Sequence, residues 1–140
     1  MAVLQFVTRI NASKEKVWET LWNDASYRQW TAAFSEGSYA ESDWQEGSRI
    51  LFLGPGGNGM FGIIEKKIPN EQMIFRHQGE IKNGVEEVKV WGEARESYYL
   101  AESDGITGLT VELEAPPDFE QYFKATFPKA MAILKQVAEQ

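Results

Sequence analysis

The last part of the chain carries the clearest periodic pattern of apolar positions. From Asp118 to Gln140 they recur at steps of three and four, which places them along one side of a helix. The positions are Phe119, Tyr122, Phe123, Phe127, Ala130, Met131, Leu134, Val137 and Ala138. Pro128 lies inside the pattern and removes one backbone hydrogen bond, so we expect a bend near Lys124 to Pro128. One long C-terminal helix is predicted, and its apolar side needs a partner.

The beginning of the chain predicts one strand followed by two short helices. Polar and apolar residues alternate from Val3 to Ile10, as they do in a strand buried mainly on one face. Ser13 is placed to cap the first helix, because its side-chain oxygen can accept from a free backbone amide. The buried stripe of that helix consists of Val17, Trp18, Leu21 and Trp22. Asn23-Asp24 then starts a second helix, on which Tyr27 and Trp30 share a face.

Turn-forming residues recur at strand-length intervals between Ser35 and Thr110. The segments between them predict strands near Ser38 to Ser42, Ser48 to Leu53, Met60 to Lys67, Gln72 to Gln78, Gly92 to Ala101 and Gly108 to Ala115. Glu80 to Val90 is less regular, and its acidic part from Gly84 to Val88 is interpreted as a loop over one end of the sheet. Asp118, after Pro116-Pro117, is expected to cap the final helix.

These elements predict an α+β fold in which a curved antiparallel sheet wraps around the long C-terminal helix. The length of 140 residues fits a single domain that spans residues 1–140.

Composition limits the classes of function. The chain has 14 Lys plus Arg against 21 Asp plus Glu, and its net charge of -7 has the wrong sign for a nucleic-acid partner. It contains no Cys, which removes disulfides, thiolate metal sites and a Cys nucleophile. No apolar run approaches the ~20 residues that span a membrane, and no secretory signal is visible, so we expect a soluble cytoplasmic protein. The 5 Trp, 5 Tyr and 8 Phe point either to a well-filled core or to an aromatic-walled pocket.

Strand parity predicts which residues face the C-terminal helix. Phe75 and His77 share one side of their strand, and Glu96 and Tyr98 share one side of the next long one. If both sides face inward, a few polar groups stand in a mainly apolar wall, which is typical of a small-molecule pocket. The predicted ligand-binding residues are Trp30, Phe34, Phe75, His77, Glu96, Tyr98, Tyr122, Phe123 and Phe127.

His77 and Glu96 are the two candidates for catalysis. His77 is the only histidine and could act as an acid or base near neutral pH, but a hydrogen-bonded wall residue fits the pattern better. Glu96 either fixes the polar end of a ligand or pairs with Arg49, Arg76 or Arg95, and pairing is the favoured interpretation. No nucleophile motif and no metal-ligand spacing accompany them, so neither a catalytic triad nor a metal site is predicted.

The glycine-rich segment Gly54 to Gly59 is not a phosphate-binding loop. No Gly-Lys-Ser/Thr follows it, and the next segment predicts a strand rather than a helix. We interpret it as a flexible hairpin tip that gates one mouth of a cavity.

Four segments carry a resemblance to a known family. Ile10 to Trp18 (I-N-A-S-K-E-K-V-W) is similar to the opening "I-x-A-s-x-e-x-V-W", and Arg28-Gln29-Trp30 is similar to "x-x-W" at the end of the second short helix. Asp104 to Val111 is similar to "D-G-x-T-x-L-x-V", and Phe127 to Lys135 to "W-P-x-A-L-x-x-L-K", with Phe in place of Trp. With these segments and its order of elements, the chain resembles the START-like (SRPBCC) superfamily, in the branch of homologues of the activator of the heat-shock protein 90 ATPase.

The resemblance implies a helix-grip fold with a cavity between the sheet and the C-terminal helix, and it places Trp30 at the cavity entrance. The leading hypothesis is a non-catalytic domain that binds a small hydrophobic or aromatic molecule without a cofactor. The alternatives are a cyclase- or aromatase-like enzyme of polyketide chemistry, in which His77 or Glu96 moves protons, and a protein-interaction module with a chaperone partner. The protein is expected to be a monomer or a weak homodimer.

Overall fold

The computed structural model describes residues 2–89 and 93–140. Within these ranges, strands and helices follow one another as β1 (Ala2–Ile10), α1 (Lys14–Trp22), α2 (Asp24–Thr31), β2 (Tyr39–Glu41), β3 (Arg49–Leu53), β4 (Gly59–Ile68), β5 (Gln72–Lys82), β6 (Val85–Val88), β7 (Ala94–Ser103), β8 (Ile106–Ala115) and α3 (Glu120–Ala138). Short 3₁₀ turns lie at Pro55–Gly57 and Pro117–Phe119.

The strands form one antiparallel sheet in the order β1-β8-β7-β5-β4-β3-β2, and β6 pairs with the far half of β5. The two short helices follow β1, and α3 packs against β1, α1 and α2. The predicted α+β fold, with a curved sheet around a long C-terminal helix, is confirmed.

The first helix is capped by Ser13 as predicted, and the second begins at the predicted Asn23-Asp24. The Ser13 side chain accepts a hydrogen bond from the Lys16 amide at 3.1 Å, and the Asn23 side chain accepts one from the Ala25 amide at 3.1 Å. The prediction that Asp118 caps α3 is wrong. Asp118 lies in a 3₁₀ turn closed by a hydrogen bond from the Phe119 amide to the Pro116 carbonyl, and α3 begins only at Glu120. The helix continues through Pro128, where the expected bend stays a prediction.

The segment after β5 differs from the predicted loop. Val85–Val88 is strand β6, whose residues pair with Gly79 to Lys82 at the end of β5. Backbone pairing therefore extends β5 four residues past the predicted end at Gln78. The strand predicted over Gly92 to Ala101 is observed as Ala94–Ser103; Gly92 and Val90 lie outside the described residues.

The core lies between the inner face of the sheet and the helices. Its fully buried residues include Val17 and Leu21 of α1, Val111 of β8 and Leu134 of α3. The rings of Phe6 on β1 and Phe127 on α3 stack with centroids 5.0 Å apart, which fixes the middle of α3 against the edge of the sheet. Across residues 2–89 and 93–140, none of the helices has both the length and the hydropathy that a membrane crossing requires.

Candidate functional site

A bulge in β5 decides which side chains face the helices. Gly62 of β4 is opposite His77, but the preceding Phe61 is opposite Gly79, so Gln78 is an extra residue without a partner on β4. Beyond this point the face of β5 is reversed: Glu80 is opposite Met60, and both line the same inner pocket. The bulge thus brings a second carboxylate to the inner face.

Two glycines make this bulge fit. A Cβ on Gly62 would lie 2.3 Å from the Arg76 carbonyl oxygen, and one on Gly79 would lie 2.1 Å from the Glu87 carbonyl oxygen. Real side chains do not tolerate such distances, so the strands approach this closely only because glycine has no side chain. The positions of His77 and Glu80 therefore depend on these two residues.

A pocket of about 420 Å³ lies between α2, the first half of α3 and the inner face of the sheet. Most of its wall is apolar, ten of the lining residues are aromatic, and polar side chains from strands, α2 and connecting segments interrupt this surface. The lining aromatic residues are Tyr27, Trp30, Phe34, Tyr39, Phe52, Tyr98, Phe119, Tyr122, Phe123 and Phe127. Its volume lies within the range of small-molecule sites, roughly 300–1,000 Å³.

Eight of the nine predicted ligand-binding residues line this pocket, because the parity of β7 and of the first half of β5 is as predicted. They are Trp30, Phe34, His77, Glu96, Tyr98, Tyr122, Phe123 and Phe127. Phe75 does not line it. Its ring is 1% exposed and packs edge-on against Trp22 and Phe52 in the core.

Three polar side chains form a hydrogen-bonded network in the pocket wall. One Glu96 oxygen is 2.9 Å from His77 Nε2, and the other accepts a short hydrogen bond from the Tyr98 hydroxyl. His77 is 6% exposed and Tyr98 is 1% exposed, so water competes little for these contacts. His77 Nδ1 is buried without a hydrogen-bond partner among the described residues.

The two tyrosines nearest to Glu96 are held in their protonated form. Burial, reinforced by the negative charge of Glu96, raises the pKa of Tyr98 well above its usual value of 10.0. The same two causes, burial first, strongly raise the pKa of Tyr27. Both hydroxyls therefore remain neutral beside the carboxylate.

The favoured pairing of Glu96 with an arginine is wrong. Arg49 pairs with Glu86, and Arg95 makes two hydrogen bonds to Glu65. Arg76 is 3.9 Å from Glu65 as well. Cross-strand register explains the difference, since Arg76 is opposite Arg95 in the ladder while Glu96 is opposite Phe75 on the inner face. The carboxylate of Glu96 is held by the His77 ring and the Tyr98 hydroxyl instead.

The first half of α3 closes one side of the pocket. The Tyr122 hydroxyl donates to the Phe34 carbonyl at 2.8 Å, and the Phe34 ring meets the Phe127 ring at 4.9 Å between centroids. These contacts join α3 to the segment after α2. Phe119 and Tyr122 remain 38% and 44% exposed, so they form the rim.

The Gly54 to Gly59 segment lies at another side of the same pocket, through Gly54, Asn58 and Gly59. The Asn58 side chain accepts a hydrogen bond from the Asn83 amide at 2.8 Å, which ties this tip to the turn between β5 and β6. Its position fits the predicted gate, although gating itself stays a prediction.

Several lining residues were not among the predicted site residues. Glu80 was missed because the predicted strand ends at Gln78, which left Glu80 in the segment interpreted as irregular. Phe52 follows from the parity of β3, where it is opposite Met60, and that signal was present in the sequence. Tyr27 shares a helix face with Trp30, so the sequence pattern also contained the signal for Tyr27. Among the described residues, no group of three His, Asp or Glu side chains is arranged to hold a metal ion.

Comparison with known proteins relates this geometry to a family. The model of the family described as "Activator of Hsp90 ATPase homolog 1-like protein" matches residues 11–139. No curated protein sequence matches the chain.

Solved structures share the fold at low identity. The Aha1 dimer from Colwellia psychrerythraea has 22% identity and a TM-score of 0.76, covering 99% of this chain and 97% of that one. Protein CV1439 from Chromobacterium violaceum has 16% identity and a TM-score of 0.72, covering 100% and 99%. CalU16 from Micromonospora echinospora has 17% identity and a TM-score of 0.72, covering 97% of this chain and 75% of that one.

Proposed function

The chain belongs to the family of Activator of Hsp90 ATPase homolog 1-like proteins, and from this premise we propose that it binds a small apolar or aromatic molecule in the pocket between the sheet, α2 and α3. The observation that supports the proposal is the pocket itself, which offers about 420 Å³ of space inside a mainly apolar wall with ten aromatic residues. The residues proposed to contact the ligand are the eight predicted residues that line it, together with Tyr27, Phe52 and Glu80.

Aromatic walls favour a rigid, flat ligand. Phe34, Phe123 and Phe127 form one wall from the helical side, and Phe52 and Tyr98 form another from the sheet. Rings in such walls gain both buried area and favourable edge-to-face contacts, about 0.5–1.5 kcal/mol per aromatic pair beyond burial. A flexible chain would lose more conformational entropy on binding.

Filling the pocket is expected to abolish binding. Met60 lies on the inner face of β4, and Met60→Trp places an indole into the proposed ligand space. In a thermal-shift screen over fatty acids, sterols, flavonoids and polyketides, ligands that stabilise the original protein should no longer raise the Tm of Met60→Trp. A ligand bound only to the folded state at 100 times its Kd contributes about 2.7 kcal/mol, which is a shift of several degrees.

Ile63→Trp is the matched control, because Ile63 is opposite Arg49 on the outer face of the same strand. It adds the same bulk away from the pocket and should leave the ligand-induced shift intact. If Met60→Trp retains the shift, the ligand binds elsewhere. If neither the screen nor native mass spectrometry of the purified protein detects a bound molecule, the proposal fails.

The network of His77, Glu96 and Tyr98 favours one alternative, a cyclase- or aromatase-like enzyme. A histidine oriented by a carboxylate can move a proton on a ligand that reaches the ring. This alternative predicts that His77→Ala and Glu96→Gln stop the cyclisation of a polyketone substrate while each variant still binds it. Chromatography of the products measures the cyclisation. Loss of binding and product together would instead assign these residues to ligand positioning.

The partners expected from the sequence also stay proposals. β1 is an edge strand that exposes Val3 and Val7, and it is the described surface on which a weak homodimer would most simply form. A chaperone partner has no comparable surface observation behind it.

A further inference from the structure

The charged groups of the pocket wall are of one sign. The carboxylates of Glu80 and Glu96 lie on the inner face, and no Lys or Arg of the described ranges 2–89 and 93–140 lines the pocket. Glu114 also borders it, but one of its oxygens accepts from the Arg95 amide at 2.7 Å. An apolar cavity whose wall carries carboxylates and no cationic side chain has a negative potential, since low-dielectric walls strengthen their field.

The basic groups nearby offset only part of this negative charge. Lys82 and Lys89 form salt bridges to Glu80 at 3.6 Å and 3.7 Å, but neither lysine lines the pocket. The Arg28 guanidinium lies over the Tyr39 ring at 5.0 Å, but it is paired with Asp24. Within residues 2–89 and 93–140, Glu96 has no lysine or arginine partner.

His77 holds Glu96 through one ring nitrogen only. Nε2 lies 2.9 Å from a Glu96 oxygen, and the buried Nδ1 has no hydrogen-bond partner among the described residues. The Tyr98 hydroxyl holds the other Glu96 oxygen, so no Lys or Arg of the described residues takes part in this network.

Most hydrogen-bond donors of the wall are already used within the protein. Trp30 Nε1 donates to the Leu21 carbonyl at 3.1 Å, and the Ser38 hydroxyl donates to the Ser35 carbonyl at 2.5 Å. The Tyr98 and Tyr122 hydroxyls donate to Glu96 and to the Phe34 carbonyl. The carboxylate oxygens, with spare lone pairs, remain as acceptors. The wall is thus prepared for a ligand that donates.

We propose that the pocket selects a cation, namely a protonated amine carried on an aromatic or apolar body, and disfavours carboxylates such as fatty acids. The inference rests on the proposed function and specifies its ligand class. The ammonium group would lie between the Glu80 and Glu96 carboxylates, and the aromatic faces of Tyr27, Trp30 and Phe52 would add cation–π attraction. An anionic ligand would bury a second negative charge beside Glu96.

Three probes with the same anthracene body test this selection: anthracenylmethylamine, anthracenylmethanol and anthracenecarboxylate. Each probe is titrated with the full chain, and its fluorescence reports the bound fraction. The amine is expected to bind about tenfold more tightly than the alcohol, and the carboxylate most weakly. Met60→Trp should block all three, which assigns the signal to the pocket.

Neutralising the carboxylates provides the second readout. Glu80→Gln and Glu96→Gln should each weaken binding of the amine by about tenfold and leave the alcohol within about twofold, because the amide keeps the size of the side chain and removes its negative charge. Glu41→Gln, at an exposed β2 position outside the pocket wall, is the control and should change neither. Glu80→Gln does not touch the His77 network, so the test holds even if Glu96→Gln fails to fold.

The outcomes separate the inference from the function on which it rests. If the alcohol or the carboxylate binds in the pocket as tightly as the amine, or if neither Gln variant weakens the amine, cation selection is wrong and the proposed binding function stands. If none of the probes binds and the broad ligand screen is also empty, the binding function fails and the inference with it.

Discussion

Replacing Gly62 with alanine is expected to destabilise the fold by about 3 kcal/mol, which corresponds to a fall in Tm of about 10 °C. The added Cβ would lie 2.3 Å from the Arg76 carbonyl oxygen and 3.0 Å from the His77 Cα, both backbone atoms of β5. A backbone contact cannot be relieved by a change of rotamer. The two strands must separate at the bulge, and hydrogen bonds of a central ladder are lost with the close packing.

Gly108→Ala is the matched control for this prediction. Gly108 also lies inside a strand, β8, but its nearest foreign atom to a new Cβ is the Ala101 carbonyl oxygen at 3.7 Å, an ordinary contact. Alanine there should be neutral or stabilising by up to about 1 kcal/mol, because it reduces the entropy of the unfolded chain. Urea unfolding of both variants measures the difference. Equal stability of the two would show that β4 and β5 are not in close contact at Gly62.

The bulge at Gln78 also marks the limit of what strand alternation can predict. Parity correctly places His77, Glu96 and Tyr98 in the pocket wall, because each lies in a regular part of its ladder. One extra residue then reverses the faces, and Glu80 rather than Gly79 lines the pocket. A glycine inside a strand pattern is a sequence signal for a bulge, so Gly79 was the available clue.

Other differences come from contacts that are distant in sequence. The sequence pattern offers several arginines as partners for Glu96. In the folded sheet, however, Arg95 binds Glu65, and Glu96 contacts His77 and Tyr98. β6 forms because β5 continues and offers it a free edge, which local composition does not reveal. Local signals gave a mixed result: Ser13 caps its helix as predicted, but Asp118 does not cap α3, because the chain first forms a 3₁₀ turn at Pro117–Phe119.

Phe75 shows that the correct face does not imply contact with a pocket. It shares the inner side of β5 with His77, yet Trp22 and Phe52 pack against its ring from α1 and β3. Which inner residues are covered by helices depends on where the helices cross the sheet. The sequence determines the apolar stripe of a helix, but the crossing position depends on tertiary packing.

At alkaline pH the protein is expected to lose stability unusually steeply, and two tyrosines are the cause. The pKa of Tyr98 and that of Tyr27 are raised above the usual 10.0 by burial first and by Glu96 second. Above pH 10 the unfolded chain releases both hydroxyl protons while the folded chain retains them. The unfolded state then binds fewer protons, so the free energy of unfolding falls as pH rises, by about 1.4 kcal/mol per pH unit for each tyrosine. Below the unfolded value, both states keep the protons and the effect vanishes.

Urea unfolding at closely spaced pH values from 9 to 11.5 would measure this slope, which should approach about 2.7 kcal/mol per pH unit from the two tyrosines together. Tyr27→Phe and Tyr98→Phe should each remove about half of it, and the double variant should remove most of it, leaving the background from lysines and from Tyr122, whose pKa burial also raises. Tyr98→Phe also lowers stability at neutral pH by about 1–3 kcal/mol, since Glu96 loses a donor, but that offset does not change with pH. The slope is therefore the decisive quantity: an unchanged slope in the double variant would mean that the hydroxyls beside Glu96 ionise in the folded protein as they do in the unfolded chain.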